Sequence, residues 1–180
     1  CKIVGPGGPY VTAAKQLVSG LVAIDMPAGP SEVLILADGS ADPRFIARDL
    51  ISQAEHGPDS VCGLLTDSAG QASKVVEMLK SMLTKIDRSE LVAQSFSSNG
   101  FIIVFDSIVK AVEFANLFAP EHLQLMVDDL DKVSKGITSA GLILLGGYSP
   151  VSASDYTMGT NHILPTGGAA ACYSGLSAID

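Results

Sequence analysis

The three histidines of this chain each lie near a second side chain that can bind a metal or carry a proton. The three pairs are Gln53 with His56, Glu121 with His122, and Asp155 with His162. Imidazole nitrogens together with carboxylate and amide oxygens suit Zn²⁺ or a similar divalent ion. An adjacent acid and imidazole can also divide two proton transfers between them. The residue types therefore point to a metal-assisted or an acid–base reaction.

Each of these residues also has an ordinary structural explanation. A histidine close to a helix end, as His56 would be, often contacts free carbonyl groups or the helix dipole. Asp155 can be a turn residue bonded to its own backbone, and Glu121 a solvated charge. Ser31, which follows Pro30, can be a simple cap. Spacing alone leaves the structural and the catalytic interpretations open.

The short motifs of well-known chemistries are missing from the sequence. The segment 5–10 (GPGGPY) lacks the third glycine of the dinucleotide motif GxGxxG, and no P-loop, HExxH or GxSxG occurs. Residues 141–180 contain seven glycines but only two charged residues, Asp155 and Asp180. Such a segment is typical of a loop around a site or of a loosely packed tail.

Composition bounds the class of protein. The chain has 180 residues, of which 47% are hydrophobic and 17% charged, which excludes a disordered chain and suits one ordinary domain. The net charge of −8 argues against nucleic-acid binding, and the short apolar runs exclude a membrane-spanning helix. We therefore expect small molecules or other subunits as partners.

Three cysteines without a CxxC pair indicate a reducing compartment, so we expect a cytoplasmic protein. The first residue is Cys1 rather than Met, and no basic-then-apolar signal segment follows it. We therefore expect an internal piece of a longer chain.

Short apolar runs alternate with longer segments of helical period. This pattern predicts an α/β fold with a mostly parallel sheet flanked by helices. The runs are rich in Val, Ile, Leu and Phe and are apolar on both faces, as buried parallel strands require. The predicted strands are Val33–Ala37, Val61–Thr66, Phe101–Phe105, Leu123–Val127 and Leu142–Leu145.

Helix start signals separate these strands. The predicted N-caps are Asp42, which precedes a proline, Ser68 and Ser107. A further helix is predicted over residues 130–140, with Gly141 as its C-terminal glycine. Residues 10–18 and part of the polar section 88–100 are predicted to be helical as well.

Five segments, in the same order along the chain, resemble histidinol dehydrogenase, the enzyme family that completes histidine biosynthesis. They are residues 1–10 (CKIVGPGGPY), 24–36 (IDMPAGPSEVLIL), 49–60 (DLISQAEHGPDS), 119–123 (APEHL) and 155–166 (DYTMGTNHILPT), with SGLS at 174–177 closing the match. The resemblance implies an incomplete Rossmann-like domain. It also implies a zinc-dependent, NAD-linked enzyme that oxidises L-histidinol twice, through an aldehyde, to L-histidine.

The resemblance also implies a role for each matching position. By motif, the zinc ligands, which contact the substrate as well, are Gln53, His56 and Asp155. The catalytic pair is Glu121 and His122, and the further substrate contacts are His122, Ser31 and His162. In the family, the glutamate activates water for the second oxidation, and the histidine is the base for alcohol deprotonation and hydrate breakdown. Gly8 lies in the turn that NAD approaches.

Three positions depart from the family pattern. Gly8 stands where the family has the Asn of a GPGN turn, which removes a cofactor-contacting amide. Ser154 replaces the glycine before the aspartate of the GDY motif. Ala171 stands where an arginine is expected before SGLS, which removes a positive charge.

The family chain is more than twice this length, which implies that different segments of it carry different functions. Residues 1–180 would form a single α/β unit. Within it, residues 1–30 would end a preceding Rossmann-like domain, and residues 31–180 would bind zinc and substrate. A further zinc-binding histidine would come from a C-terminal part of a partner subunit, which implies a homodimer.

Two other functions stay open at this point. The departures at Gly8 and Ala171 are compatible with an inactive fragment or relative that acts as a binding or scaffold module. An open zinc site with a glutamate base would also suit a zinc hydrolase, although HExxH is absent.

Overall fold

Two parallel sheets form the framework of the computed structural model, which describes residues 1–176 and so leaves Ser177 of the SGLS segment outside the described residues. The small sheet pairs β1 (Lys2–Ile3) with β2 (Ala23–Ile24). The large sheet contains β3 (Glu32–Ala37), β4 (Val61–Thr66), β5 (Gly100–Val104), β6 (His122–Met126) and β7 (Leu142–Leu145). Its order is β5-β4-β3-β6-β7, with every neighbouring pair parallel.

This order matches five of the six strands of the doubly wound dinucleotide-binding sheet, in which the first strand lies at the centre and the chain winds out to both sides. The predicted α/β class, an incomplete Rossmann-like unit with a parallel sheet flanked by helices, is confirmed. In the described residues, no helix is long and apolar enough to cross a membrane.

Seven α-helices and one 3₁₀-helix connect and follow the strands in the described part of the chain. They are α1 (Pro9–Val18), α2 (Pro43–Ala54), α3 (Ala69–Leu83), α4 (Ser89–Asn99), α5 (Ile108–Phe118), α6 (Leu130–Ser134), α7 (Val151–Ser154) and the 3₁₀-helix Ala169–Ala171. The predicted starts at Asp42 and Ser68 are confirmed, since both side chains accept a hydrogen bond from the first turn.

The central strand β3 divides the core in two, because alternate residues of a strand point to opposite faces. Val33, Ile35 and Ala37 pack in a cluster with residues of α2, α3 and α4. Leu34 and Leu36 pack in a second cluster with residues of α5 and α6. The burial on both faces accounts for the continuous apolar run that marks this strand in the sequence.

The predicted helix over residues 130–140 is wrong in its length, since α6 ends at Ser134. The Asn116 side chain donates to the carbonyl of Gly136 and accepts from the N–H of Thr138, which satisfies the backbone in an irregular path. Ile137 still packs against the core, so the apolar spacing is met without a helix. Gly141 is therefore no helix cap, and its N–H donates to the carbonyl of Pro120.

Three other predictions differ in detail. Ser107 is the N-cap of α5, but its side chain makes no capping hydrogen bond. Strands β5 and β6 each begin and end one residue earlier than predicted. Helix α4 runs directly into β5, so the loop predicted within 88–100 is absent.

A buried ion pair holds the N-terminal glycine-rich turn against α1. The Lys15 ammonium pairs with the Asp25 carboxylate and donates to the Gly5 carbonyl. Asp25 also accepts from the N–H groups of Gly5 and Met26. Burial would raise the pKa of Asp25, but Lys15 and these N–H donors outweigh it and lower the pKa. The turn that precedes α1 is thereby fixed in one conformation.

Candidate active site

The predicted site residues gather at the amino ends of the two central strands. The parallel register sets Val33 of β3 opposite His122 of β6, so the residues that precede these two positions are neighbours as well. Ligands of doubly wound sheets usually bind at the carboxyl ends of the strands. Here the carboxyl ends are instead followed by acidic residues such as Asp38, Asp67 and Asp128.

Reciprocal hydrogen bonds join Glu32 and Glu121 across these amino ends. The N–H of Glu32 donates to Glu121 Oε2 at 2.8 Å, and the N–H of Glu121 donates to Glu32 Oε2 at 3.2 Å. Both residues are buried, with 7% and 6% of their surface exposed. Burial raises the pKa of Glu32, although hydrogen bonds from the N–H groups of Gly167 and Glu121 partly offset this effect.

The turn that leads into the Glu121–His122 pair is strained. Ala119 ends α5 in the left-handed conformation, with φ of 50°, and is fully buried. For a residue with a side chain this conformation costs about 1–2 kcal/mol. It persists because the neighbouring residues are held in place: the carbonyls of Pro120 and Glu121 accept from Gly141 and Leu142.

The position of the proton on His122 follows from its partner. His122 Nδ1 lies 2.9 Å from the Glu32 carbonyl oxygen, which can only accept, so Nδ1 carries the proton. Neutral His122 therefore keeps its lone pair on Nε2. Burial would lower the pKa of His122, but the Glu121 carboxylate 3.5 Å away and the Glu32 carbonyl outweigh this effect and raise the pKa. His122 is suited to act as a base through Nε2.

The C-terminal end of α2 contributes Gln53 and His56. Gln53 is only 2% exposed, and its Nε2 has no hydrogen-bond partner within the described residues. His56 Nδ1 lies 3.0 Å from the Ser52 carbonyl, so its Nε2 is left for another partner. The carboxyl end of a helix carries partial negative charge and favours a cation.

Asp155 and His162 form a pair on the segment after α7. Asp155 Oδ1 lies 2.9 Å from His162 Nδ1. The His162 side chain is 77% exposed and that of Asp155 is 32% exposed, so this side of the site is open to solvent. Ser154, where the family has glycine, is buried and donates to the Val151 carbonyl within α7.

One cavity of about 90 Å³ is lined by all seven residues predicted to bind metal or substrate or to act in catalysis. They are Ser31, Gln53, His56, Glu121, His122, Asp155 and His162. The eighth predicted residue, Gly8, lines an adjoining cavity of about 440 Å³ that shares Ser31 and His56 with the first. The roles of these eight residues stay predictions, but their proximity makes a joint role possible.

Position 8 has room for a side chain. Gly8 is the N-cap of α1 with φ of −65°, a conformation that any residue adopts. A Cβ added there would meet no atom within 4 Å. Neither backbone strain nor packing therefore accounts for glycine where the family has asparagine.

The predicted zinc ligands fit a divalent cation as an incomplete set. Within residues 1–176, no three His, Cys, Asp or Glu side chains lie close enough to hold a metal by themselves. The predicted set contains two such side chains, His56 and Asp155, together with the amide of Gln53. Because that amide is buried without a partner for Nε2, it is free to turn its oxygen toward a cation.

Glu32 is a residue of the site that the sequence patterns did not single out. Its carboxylate oxygens accept from the N–H groups of Glu121 and Gly167, at 3.2 and 3.0 Å. The available signal was an acid at the start of an otherwise apolar strand. A charged residue at a strand end is commonly solvated, so this signal is weak.

The comparisons with known proteins bear on the family of the chain. The family model of histidinol dehydrogenase matches residues 1–180. The chain belongs to the histidinol dehydrogenase family. It is 50% identical over 176 residues to histidinol dehydrogenase of Methanothermobacter thermautotrophicus, covering 98% of this chain and 41% of that protein. It is 51% identical over 177 residues to that of Leptospira interrogans, covering 97% of this chain and 42% of that protein.

A solved histidinol dehydrogenase, from Elizabethkingia anophelis, superposes with a TM-score of 0.90 at 50% identity and covers 98% of this chain and 41% of that one. The chain thus spans less than half the length of the histidinol dehydrogenases it matches. A propionaldehyde dehydrogenase from Clostridium phytofermentans superposes with a TM-score of 0.56 at 16% identity, covering 98% and 53%. That likeness concerns the fold alone.

We expect Glu121 to control the proton affinity of His122. Replacing Glu121 by Gln removes the carboxylate that raises the pKa of His122, so the midpoint should fall. Titration of the histidine ring by NMR in the metal-free protein measures this midpoint. The control Asp38→Asn removes a carboxylate at the opposite end of β3 and should leave the midpoint unchanged. An unchanged midpoint in Glu121→Gln would contradict the assignment.

Proposed function

We propose that this chain is the central portion of an NAD-dependent histidinol dehydrogenase that oxidises L-histidinol, through an aldehyde, to L-histidine. The observation that carries the proposal is the His122 ring, whose Nδ1 lies 2.9 Å from the Glu32 carbonyl oxygen and 3.5 Å from the buried Glu121 carboxylate, in the cavity shared by the predicted ligands. The full-length relatives at 50–51% identity support the same reaction.

In the first oxidation, His122 removes the hydroxyl proton of the alcohol. The lone pair on Nε2 accepts this proton, and the imidazolium that forms is stabilised by the Glu121 carboxylate and the Glu32 carbonyl. NAD, when bound, accepts the hydride that leaves the carbinol carbon. His122 then returns its proton to solvent before the next step.

In the second oxidation, Glu121 activates the water that adds to the aldehyde. Its Oε2 is held by the Glu32 N–H, so the carboxylate has one fixed orientation from which to accept a proton from water. His122 then removes a hydroxyl proton from the resulting hydrate, whose hydride would pass to a second molecule of NAD. The two neighbouring groups thereby divide the two kinds of proton transfer between them.

Gln53, His56 and Asp155 would hold zinc, with the amide oxygen, the imidazole Nε2 and the carboxylate as ligands. Zn²⁺, when bound, supplies an anchor for the imidazole and amino groups of the substrate. Ser31 and His162, which line the same cavity, would contact the substrate beside it. This arrangement leaves deprotonation to His122 rather than to the metal ligands.

The nicotinamide is proposed to enter through the cavity at Gly8, which adjoins the catalytic cavity at Ser31 and His56. We also propose a homodimer in the full-length protein and a cytoplasmic location. The free thiols Cys1, Cys62 and Cys172 are compatible with a reducing compartment.

Glu121→Gln in the full-length protein should separate the two oxidations. We expect the first NADH to form from L-histidinol while the second forms on the order of 100-fold more slowly, as the loss of a general base predicts. Rapid-mixing absorbance at the NADH band resolves the two phases. Glu113→Gln, the same change on an exposed face of α5, is the matched control. Full activity after replacing both Glu121 and His122 by Ala would refute the function.

Gln53→Ala should weaken zinc binding in a calorimetric titration by about 10-fold or more, since it removes a proposed ligand. Gln71→Ala is the matched control, because Gln71 is also buried on a helix but donates to the carbonyl of Ala41, in the loop before α2. Equal zinc affinity of Gln53→Ala and the unaltered protein would remove Gln53 from the site.

Gly8→Asn should tighten NAD binding. An added Cβ meets no atom within 4 Å, and the amide beyond it can restore one hydrogen bond, which corresponds to a roughly 2- to 10-fold lower dissociation constant. Fluorescence titration with NADH measures the change. Gly20→Asn, also in open space but beyond the other end of α1, controls for a general effect of asparagine. Unchanged affinity in Gly8→Asn would place the cofactor elsewhere.

A further inference from the structure

Glu32 lies in surroundings that disfavour a charge. It opens β3, whose other residues are apolar and buried, and it is itself 7% exposed. The neighbouring Glu121 carboxylate is of the same sign when both are ionised. Burial raises the pKa of Glu32, so an ionised carboxylate at this buried position costs free energy. A glutamine of the same shape would avoid this cost, which points to a specific use for two acceptor oxygens.

Each carboxylate oxygen of Glu32 holds a different segment of the site. Oε2 accepts from the N–H of Glu121, the first residue of the catalytic pair, at 3.2 Å. Oε1 accepts from the N–H of Gly167, at 3.0 Å. The two donors are 46 residues apart in sequence (167 − 121), and Glu32 joins them through one side chain. An amide in its place could accept from only one of them.

The turn that carries Glu121 needs this hydrogen bond to keep its conformation. It follows Ala119, whose left-handed conformation is disfavoured and would relax if the turn were free. The Glu32 side chain restrains the Glu121 backbone from the β3 side, while the N–H of Leu142 bonds the Glu121 carbonyl from β7. The pair is therefore fixed between the two strands.

The second segment is anchored at the same place. Gly167 has φ of +63°, and next to it Thr166 bonds the Pro27 carbonyl through its N–H and the Gly29 N–H through its hydroxyl. This turn closes the loop that carries Asp155 and His162 back onto the start of β3. The Glu32 carboxylate thus links the loop on the exposed side of the cavity to the turn that carries Glu121 on its buried side.

We propose that Glu32 is a positioning residue, whose carboxylate clamps the turn carrying Glu121 and His122 to the C-terminal segment that closes their cavity. Within the described residues it lines neither of the two cavities, so it acts through these segments rather than on substrate or cofactor. The inference rests on the proposed function for its kinetic consequence, but the clamp itself is a property of this chain alone.

Glu32→Gln in the full-length protein is the test, with Asp38→Asn as the matched control. Asp38 follows the other end of β3, and its carboxylate likewise bonds two backbone N–H groups, those of Ser40 and Asp128. We expect kcat with L-histidinol to fall about 100-fold in Glu32→Gln, as a displaced catalytic pair implies, with KM changed less than about threefold. Asp38→Asn should keep kcat, although its melting temperature should fall by about as much as that of Glu32→Gln.

Amide hydrogen exchange supplies a readout that does not depend on activity. The amide of Glu32→Gln can keep only one of the two bonds. At least one of the N–H groups of Glu121 and Gly167 should therefore exchange at least about 10-fold faster, while those of the β3 and β4 ladder stay protected. If Glu32→Gln does not fold, Glu32→Asp replaces it, since the shorter acid keeps the charge but cannot span both amides. The same loss of kcat and of protection is expected.

Three results would overturn the proposal: full kcat in Glu32→Gln, an equal loss of kcat in Asp38→Asn, or unchanged exchange at Glu121 and Gly167. An unaltered protein that fails to reduce NAD with L-histidinol would refute the proposed function instead. The exchange experiment would then decide the role of Glu32 by itself.

Discussion

The reciprocal hydrogen bonds between Glu32 and Glu121 are the interaction on which the arrangement of the site depends. They form because β3 and β6 are adjacent and parallel, so the residues at both amino ends meet. Each backbone N–H satisfies the other residue's carboxylate, which offsets part of the cost of burying two acids side by side. The same contact places His122 against the Glu32 carbonyl and so selects its tautomer. The pairing of β3 with β6 therefore determines both the burial of the two acids and the position of the proton on His122.

The candidate site lies at the end of the sheet opposite to the usual ligand site of doubly wound folds. Asp38, Asp67 and Asp129 surround the crevice at the carboxyl ends, and their charge would repel the phosphates of a dinucleotide. At the amino ends, the carboxyl terminus of α2 presents partial negative charge together with Gln53 and His56. The end of α2 therefore suits a cation or a basic group.

The sequence predicted the features of the fold that depend on local patterns. It did not predict those that depend on contacts with residues distant in sequence. Apolar runs and the caps at Asp42 and Ser68 located the strands and helices, because these signals act within a few residues. The end of α6 was missed because Asn116, a residue of another helix, satisfies the backbone that a longer helix would have used. Glu32 was missed for the same reason, since its side-chain partners are 89 and 135 residues away.

The glycine at position 8 bears on how the two cavities would work together. It removes a possible contact to the cofactor, while the groups proposed to move protons line the adjoining cavity, which shares Ser31 and His56 with the cavity at Gly8. Under the proposed function, binding of the nicotinamide and deprotonation by His122 would depend on separate parts of the chain. A change at position 8 would lower occupancy of the cofactor without disabling the base. On this reasoning, the departure from the family pattern argues for weaker cofactor binding rather than for a protein that has lost its chemistry.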